Sequence, residues 1–225
     1  MSVLVNRLSA SASEIFAGAV QDYGRGLVIG SQTFGKGTVQ ALLPVNEGQL
    51  KLTIAKFYRI SGQSTQHQGV IPDIQFPSAF DPTEIGESAL DTALPWDQIR
   101  SLRYRPIDTP QARLAQLVDR HQARIATDPD FIALLKRTER ALELSGETGI
   151  SLHLETRIQE REANNQTLLD IENIRREIRG LETAQSISEL EAAAKEDDLS
   201  SDASLMESAR ILLDEIRIIR RLAGL

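Results

Sequence analysis

Three serines on alternate residues stand where a helix is predicted to begin. They occur in SASASEIF, at Ser9, Ser11 and Ser13. The first turn of a helix presents unpaired main-chain N–H groups and the positive end of the helix dipole. Such groups stabilise the negative charge that develops on oxygen when a hydroxyl attacks a carbonyl carbon. The pattern therefore makes these serines candidate nucleophiles for acyl transfer.

The same serines also have a structural interpretation. Ser11 and Glu14 have the S-x-x-E spacing of a capping box, in which the serine hydroxyl accepts a first-turn N–H and the glutamate reaches back. Spacing alone favours this capping role over a catalytic one. The two roles are compatible only if Ser9 or Ser13 takes over the capping, and helix geometry does not choose among the three serines.

A serine nucleophile needs a base, and the chain offers two kinds. Three histidines occur, at His67, His121 and His153. None follows a strand or lies between glycines, so each is predicted to be a polar surface or boundary residue. Lys36 differs, because Gly35 and Gly37 flank it in TFGKGTVQ and allow another segment of main chain to approach closely.

Lys36 can be the base only under one condition. A lysine accepts a proton only when its amine is neutral, and only an apolar pocket favours the neutral form. Phe34 and Val39 are the predicted walls of that pocket. The alternative is a solvated lysine in a glycine turn.

A phosphate-binding loop is a third interpretation of this lysine. Residues 30–37, GSQTFGKG, match G-x-x-x-x-G-K and follow a predicted strand. Gly37, however, stands where a P-loop has Ser or Thr to hold magnesium. A P-loop must also open a helix, whereas the residues from Thr38 to Leu43 are β-branched at the front and stopped by Pro44. Nucleotide binding is therefore the weakest of the three interpretations.

The elements that must position these residues are short. Runs of β-branched and apolar residues predict strands over residues 3–5, 27–29, 39–43 and 50–60. Between the first two strands, residues 11–23 predict a helix that Gly24 ends. Its predicted apolar face consists of Ile15, Phe16, Ala19 and Val20. Strand, helix and strand make a βαβ unit followed by a hairpin, so the predicted fold is α/β, a partial enzyme core followed by an all-α region.

The remainder is predicted to be a linker and then helices. Residues 77–108 are proline-rich with few periodic stretches, as in a linker that wraps the core. Capping residues followed by proline open two helices, at Thr109-Pro110 and Asp128-Pro129. Gly146 ends the second. Two amphipathic segments follow over 152–179 and 204–222, the latter with an apolar stripe at Leu205, Ala209, Leu212, Ile216 and Ile219.

Composition excludes several functional classes. The 225 residues carry a formal net charge of −7 with no basic run, which argues against a nucleic-acid-binding surface. The absence of cysteine excludes disulfides, thiol catalysis and thiolate metal sites. No apolar run approaches the roughly 18 residues of a membrane span, and the N-terminus lacks a signal-peptide pattern. A soluble globular chain without a membrane-spanning segment is therefore expected.

Several segments, in order, resemble those of the C-terminal processing peptidases of the tail-specific protease type, which are Ser-Lys proteases. They are RLSASASEIFAGAVQDYGRGLVIG, TFGKGTVQ, KLTIAKFYRISGQSTQHQGVIPDI and ALPWDQI. The resemblance implies that residues 1–76 are the C-terminal part of the protease core. Residues 77–108 would be a linker that wraps the core, and residues 109–225 the helical C-terminal extension of that family.

The resemblance also implies roles for individual residues. In that family the nucleophile is the middle serine of S-A-S-A-S-E and the base is the lysine of F-G-K-G-T. These match Ser11 and Lys36, which are 25 positions apart. Gly35 and Gly37 would support the lysine, and the family's glutamine four residues after it falls on Gln40, which would orient Lys36.

Two further positions complete the implied site. The Ala12 N–H, at the start of the helix, is the best available oxyanion donor. The family's acidic residue after the helix matches Asp22. If residues 11–22 form one helix, steps of about 1.5 Å place the Asp22 Cα about 16 Å from Ser11. Asp22 is therefore predicted to support the structure, by pairing with Arg25 or a nearby backbone group.

The implied function is a serine endopeptidase that hydrolyses peptide bonds through an acyl-enzyme, without metal or other cofactor. Its substrates would be proteins or peptides recognised near their C-termini, in the periplasm or at the periplasm-facing membrane surface. Full-length relatives also have an export signal, a PDZ domain, the first core strands and a second oxyanion donor. None of these is found in the 225 residues, so the isolated chain is expected to be inactive or nearly so.

A function from another class stays open. In this alternative the chain is a non-catalytic helical interaction module, in which Ser11 and Lys36 are relics. The last 115 residues would then bind a partner. Under either function, the helical region is the candidate surface for an adaptor or for self-association.

Overall fold

The computed structural model describes residues 1–108, 110–193 and 199–224. Its strands and helices, in chain order, are β1 (Ser2–Val5), α1 (Ala12–Asp22), β2 (Leu27–Gly30), β3 (Thr38–Val45), β4 (Gly48–Lys56), β5 (Ile74–Gln75), α2 (Gln111–Ile125), α3 (Pro129–Ser145), α4 (Leu154–Ile178), α5 (Ile187–Ala193) and α6 (Ala203–Leu222). Strands followed by helices confirm the predicted α/β class with a helical C-terminal part. The predicted helix cap Thr109 lies outside the described residues.

The chain divides into two compact units. One comprises Met1–Gln116 with Leu212–Leu225, and the other comprises Leu117–Ile211. All five strands belong to the first unit, and the second is helical. No helix in the described part of the chain is long and apolar enough to span a membrane.

A βαβ unit opens the first unit, as predicted. β1 and β2 are parallel, with Ser2 opposite Leu27, and α1 connects them. The unpredicted β5 adds a third parallel strand at the other edge of β2, where Ile29 lies opposite Ile74. All four residues of β2 are buried, as expected for the central strand of a parallel sheet. The core cluster beside this strand consists of Val5, Ala17, Val28 and Val70.

The buried face of α1 differs from the predicted one. Ile15 and Phe16 are 50% and 57% exposed. The buried positions are Glu14, Ala17, Gly18 and Val20. The apolar pattern did not predict this face for two reasons. Glu14 can be buried because hydrogen bonds satisfy its carboxylate, and Gly18 has no side chain to contribute to the pattern.

The predicted hairpin is formed by β3 and β4. The two strands are antiparallel, from Thr38 opposite Lys56 to Val45 opposite Gly48, with a bulge between Val39 and Gln40. β4 ends at residue 56, before the predicted residue 60. Because side chains alternate between the two faces of a strand, one face of the hairpin is apolar between the turn and the bulge, where it carries Ala41, Leu43, Val45, Leu50 and Leu52.

Residues 77–108 have little regular structure apart from a 3-10 turn at Glu87–Ala89, yet they are bonded to the core at several points. The buried Arg7 guanidinium donates to the carbonyl oxygens of Ile85 at 2.5 Å and Pro82 at 3.1 Å. The Trp96 indole N–H donates to the Ser64 carbonyl oxygen at 3.0 Å. These bonds fix the segment against the residues that precede and follow the hairpin.

In the second unit, α3 begins and ends where the sequence predicts. Asp128 is its N-cap, and the carboxylate accepts the N–H groups of Asp130 and Phe131 at 2.9 and 3.3 Å. Pro129 is the first helical residue and Gly146 the C-cap. The predicted segments 152–179 and 204–222 correspond to α4 and α6.

The buried side of α6 is not the predicted apolar stripe, because it combines two buried isoleucines with several buried charged residues. Ile216 and Ile219 are 38% and 42% exposed, whereas Glu207 is only 1% exposed. The Glu207 carboxylate accepts a hydrogen bond from Arg124 at 2.7 Å and lies 2.9 Å from His121 Nδ1. His121 is 2% exposed, so its predicted surface or boundary position is wrong, because a carboxylate satisfies its polar atom in the interior.

Candidate active site

Ser11 is the N-cap residue of α1, where the chain leaves β1 and enters the helix. Its main chain has φ 58° and ψ −112°, a conformation that residues with a Cβ rarely adopt. Of the three serines in SASASEIF, Ser11 alone has a positive φ. Strained main-chain conformations of this kind cluster at functional sites, so the conformation singles out Ser11 among the candidate nucleophiles.

The predicted capping box between Ser11 and Glu14 is present. In the glutamate half of the box, the Ser11 N–H donates a hydrogen bond to Glu14 Oε2, at 2.8 Å. In the other half, the Ser11 side chain faces the Glu14 N–H without a well-formed hydrogen bond, and this N–H donates to the Ser11 carbonyl oxygen at 2.9 Å. Capping and catalysis are therefore compatible at Ser11, and neither Ser9 nor Ser13 has to take over the cap.

Glu14 connects the serine to the lysine segment. It is completely buried, and its carboxylate accepts hydrogen bonds from the Ser11 N–H at 2.8 Å, the Thr33 hydroxyl at 2.6 Å, the Gly35 N–H at 2.7 Å and the Lys36 N–H at 2.9 Å. Burial raises the pKa of Glu14 above its usual range, and the hydrogen bonds offset only part of that rise. One carboxylate thus fixes the main chain of both Ser11 and Lys36.

The glycines beside Lys36 are required by close main-chain contacts, as their positions suggested. Gly35 has φ +92°, and a Cβ there would lie 2.6 Å from the His67 carbonyl oxygen. A Cβ on Gly37 would lie 2.7 Å from the main-chain nitrogen of Gln66. No side chain fits at either position without moving this neighbouring main chain.

Ser11 and Lys36 line the same cavity, of about 390 Å³. Its apolar walls are Ile15, Val39, Leu42 and Phe57. Val39 was a predicted wall, whereas Phe34, the other one, is not part of the lining. Lys36 is partly buried, and within the described ranges no carboxylate lies at salt-bridge distance from its amine. The cavity thus brings together a hydroxyl and an amine without a counter-ion for the amine.

The Ala12 N–H is the first helical donor after Ser11. Among the described residues it has no main-chain acceptor, as expected for the first residue of a helix. Ala12 lines the same cavity as Ser11. This N–H can therefore bind an oxygen that gains negative charge next to the serine.

Gln40 also lines the cavity, but its amide points to another partner. It donates across the hairpin to the Thr53 hydroxyl, at 3.4 Å. Its expected role in orienting Lys36 stays a prediction.

Asp22 lies at the opposite end of α1 from Ser11, because the helix is continuous from Ala12 to Asp22. Arg59 binds the Asp22 carboxylate through Nε at 3.0 Å and Nη2 at 2.5 Å. The predicted partner Arg25 is wrong, since its side chain is exposed and the chain returns after the hairpin to place Arg59 at the helix end.

The P-loop interpretation of the sequence can now be compared with the geometry. Residues 30–37 lead into strand β3 and not into a helix, so the helix N-terminus that a P-loop requires is missing at this position. In the part of the chain that the structure describes, no group of three or more His, Asp or Glu could hold a metal ion.

Three buried polar residues that the sequence did not single out also hold this site together. The Thr33 hydroxyl accepts the Val70 N–H at 2.7 Å while it donates to Glu14. The Gly37 N–H donates to Gln66 Oε1, and Gln66 Nε2 donates to Glu87 Oε1. Their signal in the sequence is weak, because isolated polar residues in irregular segments produce no periodic pattern.

Two family models match the chain. The one described as the C-terminal domain of tail specific protease matches residues 80–217, more than half of the chain. The chain belongs to the tail-specific protease family. The model described as Peptidase family S41 matches residues 1–76, which contain Ser11 and Lys36. The resemblance that the sequence motifs indicated is therefore confirmed.

The curated tail-specific proteases that this chain resembles are much longer than the chain itself. The tail-specific protease of Haemophilus influenzae is 39% identical over 224 residues, which cover 94% of this chain and 32% of that protein. The carboxy-terminal-processing protease of Bartonella bacilliformis is 56% identical over 73 residues, 32% of this chain and 17% of that protein. The chain thus spans about a third or less of the length of these relatives.

A solved structure is also similar to part of the chain. It is the photosystem II D1 C-terminal processing protease, with 43% sequence identity over 36% of this chain and 20% of that chain, at a TM-score of 0.31.

Proposed function

We propose that this chain is the C-terminal part of a tail-specific serine endopeptidase, with Ser11 as nucleophile and Lys36 as base. One observation carries the proposal: the two residues line one cavity, and the Glu14 carboxylate binds the N–H groups of both. The match of residues 1–76 to Peptidase family S41 supports the same chemistry.

The proposed reaction is acyl transfer in two stages. The neutral Lys36 amine takes the proton from the Ser11 hydroxyl as its oxygen attacks the carbonyl carbon of a peptide bond. The Ala12 N–H binds the resulting oxyanion. The Lys36 ammonium then gives its proton to the leaving nitrogen as the C–N bond breaks. Water attacks the acyl-enzyme in the same way, with Lys36 as base, and Ser11 recovers its proton when the C–O bond of the ester breaks.

Family membership supports further expectations about substrates, location and the roles of the three segments. We expect protein or peptide substrates that are recognised near their C-termini, in the periplasm or at the membrane surface that faces it. Residues 1–76 would complete a protease core, with 77–108 as a linker and 109–225 as its helical extension. The two family models, which match residues 1–76 and 80–217, support this division.

We expect the isolated chain to be inactive or nearly so. It spans 32% of the length of the Haemophilus influenzae relative, and the Ala12 N–H is the single oxyanion donor that we identify. Loss of one such donor lowers kcat by about 10²- to 10³-fold. Ser11-dependent cleavage of an unstructured protein by the chain alone, at the rate of the full-length protease, would overturn this expectation.

The nucleophile and base are tested in the full-length protease that contains this chain. Ser11→Ala and Lys36→Ala are each expected to lower kcat by about 10³-fold or more, since each removes a group that takes part in bond breaking. Ser13→Ala and Lys51→Ala are matched controls, because Ser13 is an exposed neighbour and Lys51 lines the same cavity. If the controls lose cleavage and the first two variants do not, the proposal is wrong.

A further inference from the structure

The segment from Ser64 to His67 lies against both glycines that flank Lys36. The His67 N–H donates to the Gly35 carbonyl oxygen at 2.9 Å. The Gly37 N–H donates to the Gln66 side-chain oxygen Oε1, also at 2.9 Å. The lysine is therefore held between two hydrogen bonds to one neighbouring segment.

Gln66 has only one orientation that satisfies its neighbours. It is completely buried, and its Nε2 donates to Glu87 Oε1 at 3.0 Å. A carboxylate accepts and does not donate, so the amide nitrogen must face Glu87 and the amide oxygen must face Gly37. Glu87 is buried too, and its own N–H donates to the Phe34 carbonyl oxygen at 2.9 Å.

The two peptide planes on either side of the Lys36 Cα are consequently fixed by buried side chains. The plane before it is held through the Lys36 N–H, which donates to Glu14. The plane after it is held through the Gly37 N–H, which donates to Gln66. With both planes fixed, the position of the lysine amine depends only on its side-chain torsions. Without Gln66, Gly37 regains the wide conformational freedom of glycine.

We propose that Gln66, oriented by Glu87, is a positioning residue for Lys36. The inference rests on the proposed function, in which the Lys36 amine must lie within hydrogen-bond reach of the Ser11 hydroxyl. A displacement of a catalytic group by about 1 Å can cost about 10²-fold in rate. The effect should fall on kcat more than on KM, because Gln66 and Glu87 are buried and lie outside the lining of the cavity.

The test exchanges the two side chains in the full-length protease. Gln66→Glu places two carboxylates against each other and is expected to lower kcat about 10- to 100-fold. Glu87→Gln retains an acceptor for Gln66 and should change kcat by less than about threefold. In the double variant Gln66→Glu/Glu87→Gln, the new amide donates to the new carboxylate, which still accepts the Gly37 N–H. Its kcat is expected to return to within about threefold of wild type.

Further variants separate positioning from folding and from the proposed function. Glu87→Ala leaves the Gln66 amide free to rotate without adding a charge, and should lower kcat about tenfold in protein that circular dichroism shows to be folded at the assay temperature, even if Gln66→Glu does not fold. A folded double variant that stays as slow as Gln66→Glu overturns the positioning role, and so does a wild-type kcat in folded Gln66→Glu and Glu87→Ala. If Ser11→Ala and Lys36→Ala retain cleavage, the proposed function itself fails, and the positioning role fails with it.

Discussion

At the scale of single residues, the main chain of Ser11 carries a measurable cost. A conformation with φ 58° and ψ −112° strains any residue with a Cβ, by about 1–3 kcal/mol. Ser11→Gly is therefore expected to be about 1 kcal/mol more stable than Ser11→Ala, since only glycine adopts this conformation without strain. Neither variant has the hydroxyl, so the comparison isolates the strain.

Urea unfolding of the two Ser11 variants measures this difference in the free energy of unfolding. The matched control is the same pair of substitutions at Ser13, which lies inside α1. Glycine in a helix is less favourable than alanine by about 1 kcal/mol, so the order of stability should reverse at Ser13. Equal stabilities of Ser11→Gly and Ser11→Ala would show that the main chain there is not strained.

Sequence spacing predicted the contact between Ser11 and Glu14 but not the other bonds of Glu14. The capping box joins residues three positions apart, and such local pairs leave a recognisable pattern. Thr33 and Lys36 lie 19 and 22 positions beyond Glu14. No local pattern relates a helix to a distant loop, so the carboxylate that joins serine and lysine could be found only in the folded chain.

At the scale of elements, the C-terminal end of α1 depends on one ion pair. Asp22 and Arg59 have side-chain exposures of 9% and 12%, and two hydrogen bonds join them. Asp22→Asn is expected to lower the free energy of unfolding by about 2 kcal/mol, because it leaves the Arg59 charge desolvated and without its anion. Asp91→Asn is the control, since Asp91 is exposed.

A double-mutant cycle separates this pair from other effects of the substitution. If the two side chains stabilise the protein through each other, Asp22→Asn/Arg59→Leu loses less stability than the sum of the two single variants. Additive losses in urea unfolding would contradict the anchoring role of the ion pair.

Elements with strong local signals were predictable, and those without them were not. The βαβ unit and the hairpin follow from β-branched runs, and α3 follows from a capping residue and a proline at the helix start. β5 has only two residues, and its partner β2 is more than 40 positions earlier, so pairing alone defines it. The predicted apolar stripe of α6 was wrong because charged residues such as Glu207 are buried there in ion pairs. A prediction from hydropathy places charged residues on the surface.

At the scale of the whole molecule, the carboxylates differ in the direction in which the fold shifts their pKa. In the second unit, burial tends to raise the pKa of Asp128, Glu172 and Glu207, but hydrogen bonds and charges from arginines outweigh it and lower all three, with His121 contributing at Glu207. In the first unit, burial raises the pKa of Glu14. Protonation of Glu14 as the pH falls therefore affects stability in the opposite direction to protonation of the three carboxylates in the second unit.

The direction of each effect follows from proton binding. A carboxylate with a lowered pKa binds fewer protons in the folded than in the unfolded state, so its contribution to stability is present above the unfolded pKa and is lost as the pH falls below it. For Glu172 and Glu207 this loss begins as the pH falls below the ordinary glutamate pKa of 4.5. Glu14 behaves in the opposite way, and its contribution is lost as the pH rises through its raised pKa.

Glu207 offers the sharpest test of this charge arrangement, because its carboxylate is 1% exposed and bound by Arg124 and His121. Glu207→Gln should lower the free energy of unfolding by about 2 kcal/mol at pH 7, the usual worth of hydrogen bonds to a charged group. The gap between wild type and Glu207→Gln should close as the pH falls from 7 through the lowered pKa of Glu207, because protonation removes the same charge from the wild type.

Urea unfolding across this range measures the loss of stability at pH 7 and its change with pH, and hydrogen exchange of residues 117–193 and 199–211 locates the loss in the second unit. Glu162→Gln, at an exposed position of α4, is the control. A gap that is independent of pH would mean that Glu207 stabilises the helices through its shape and not through its charge.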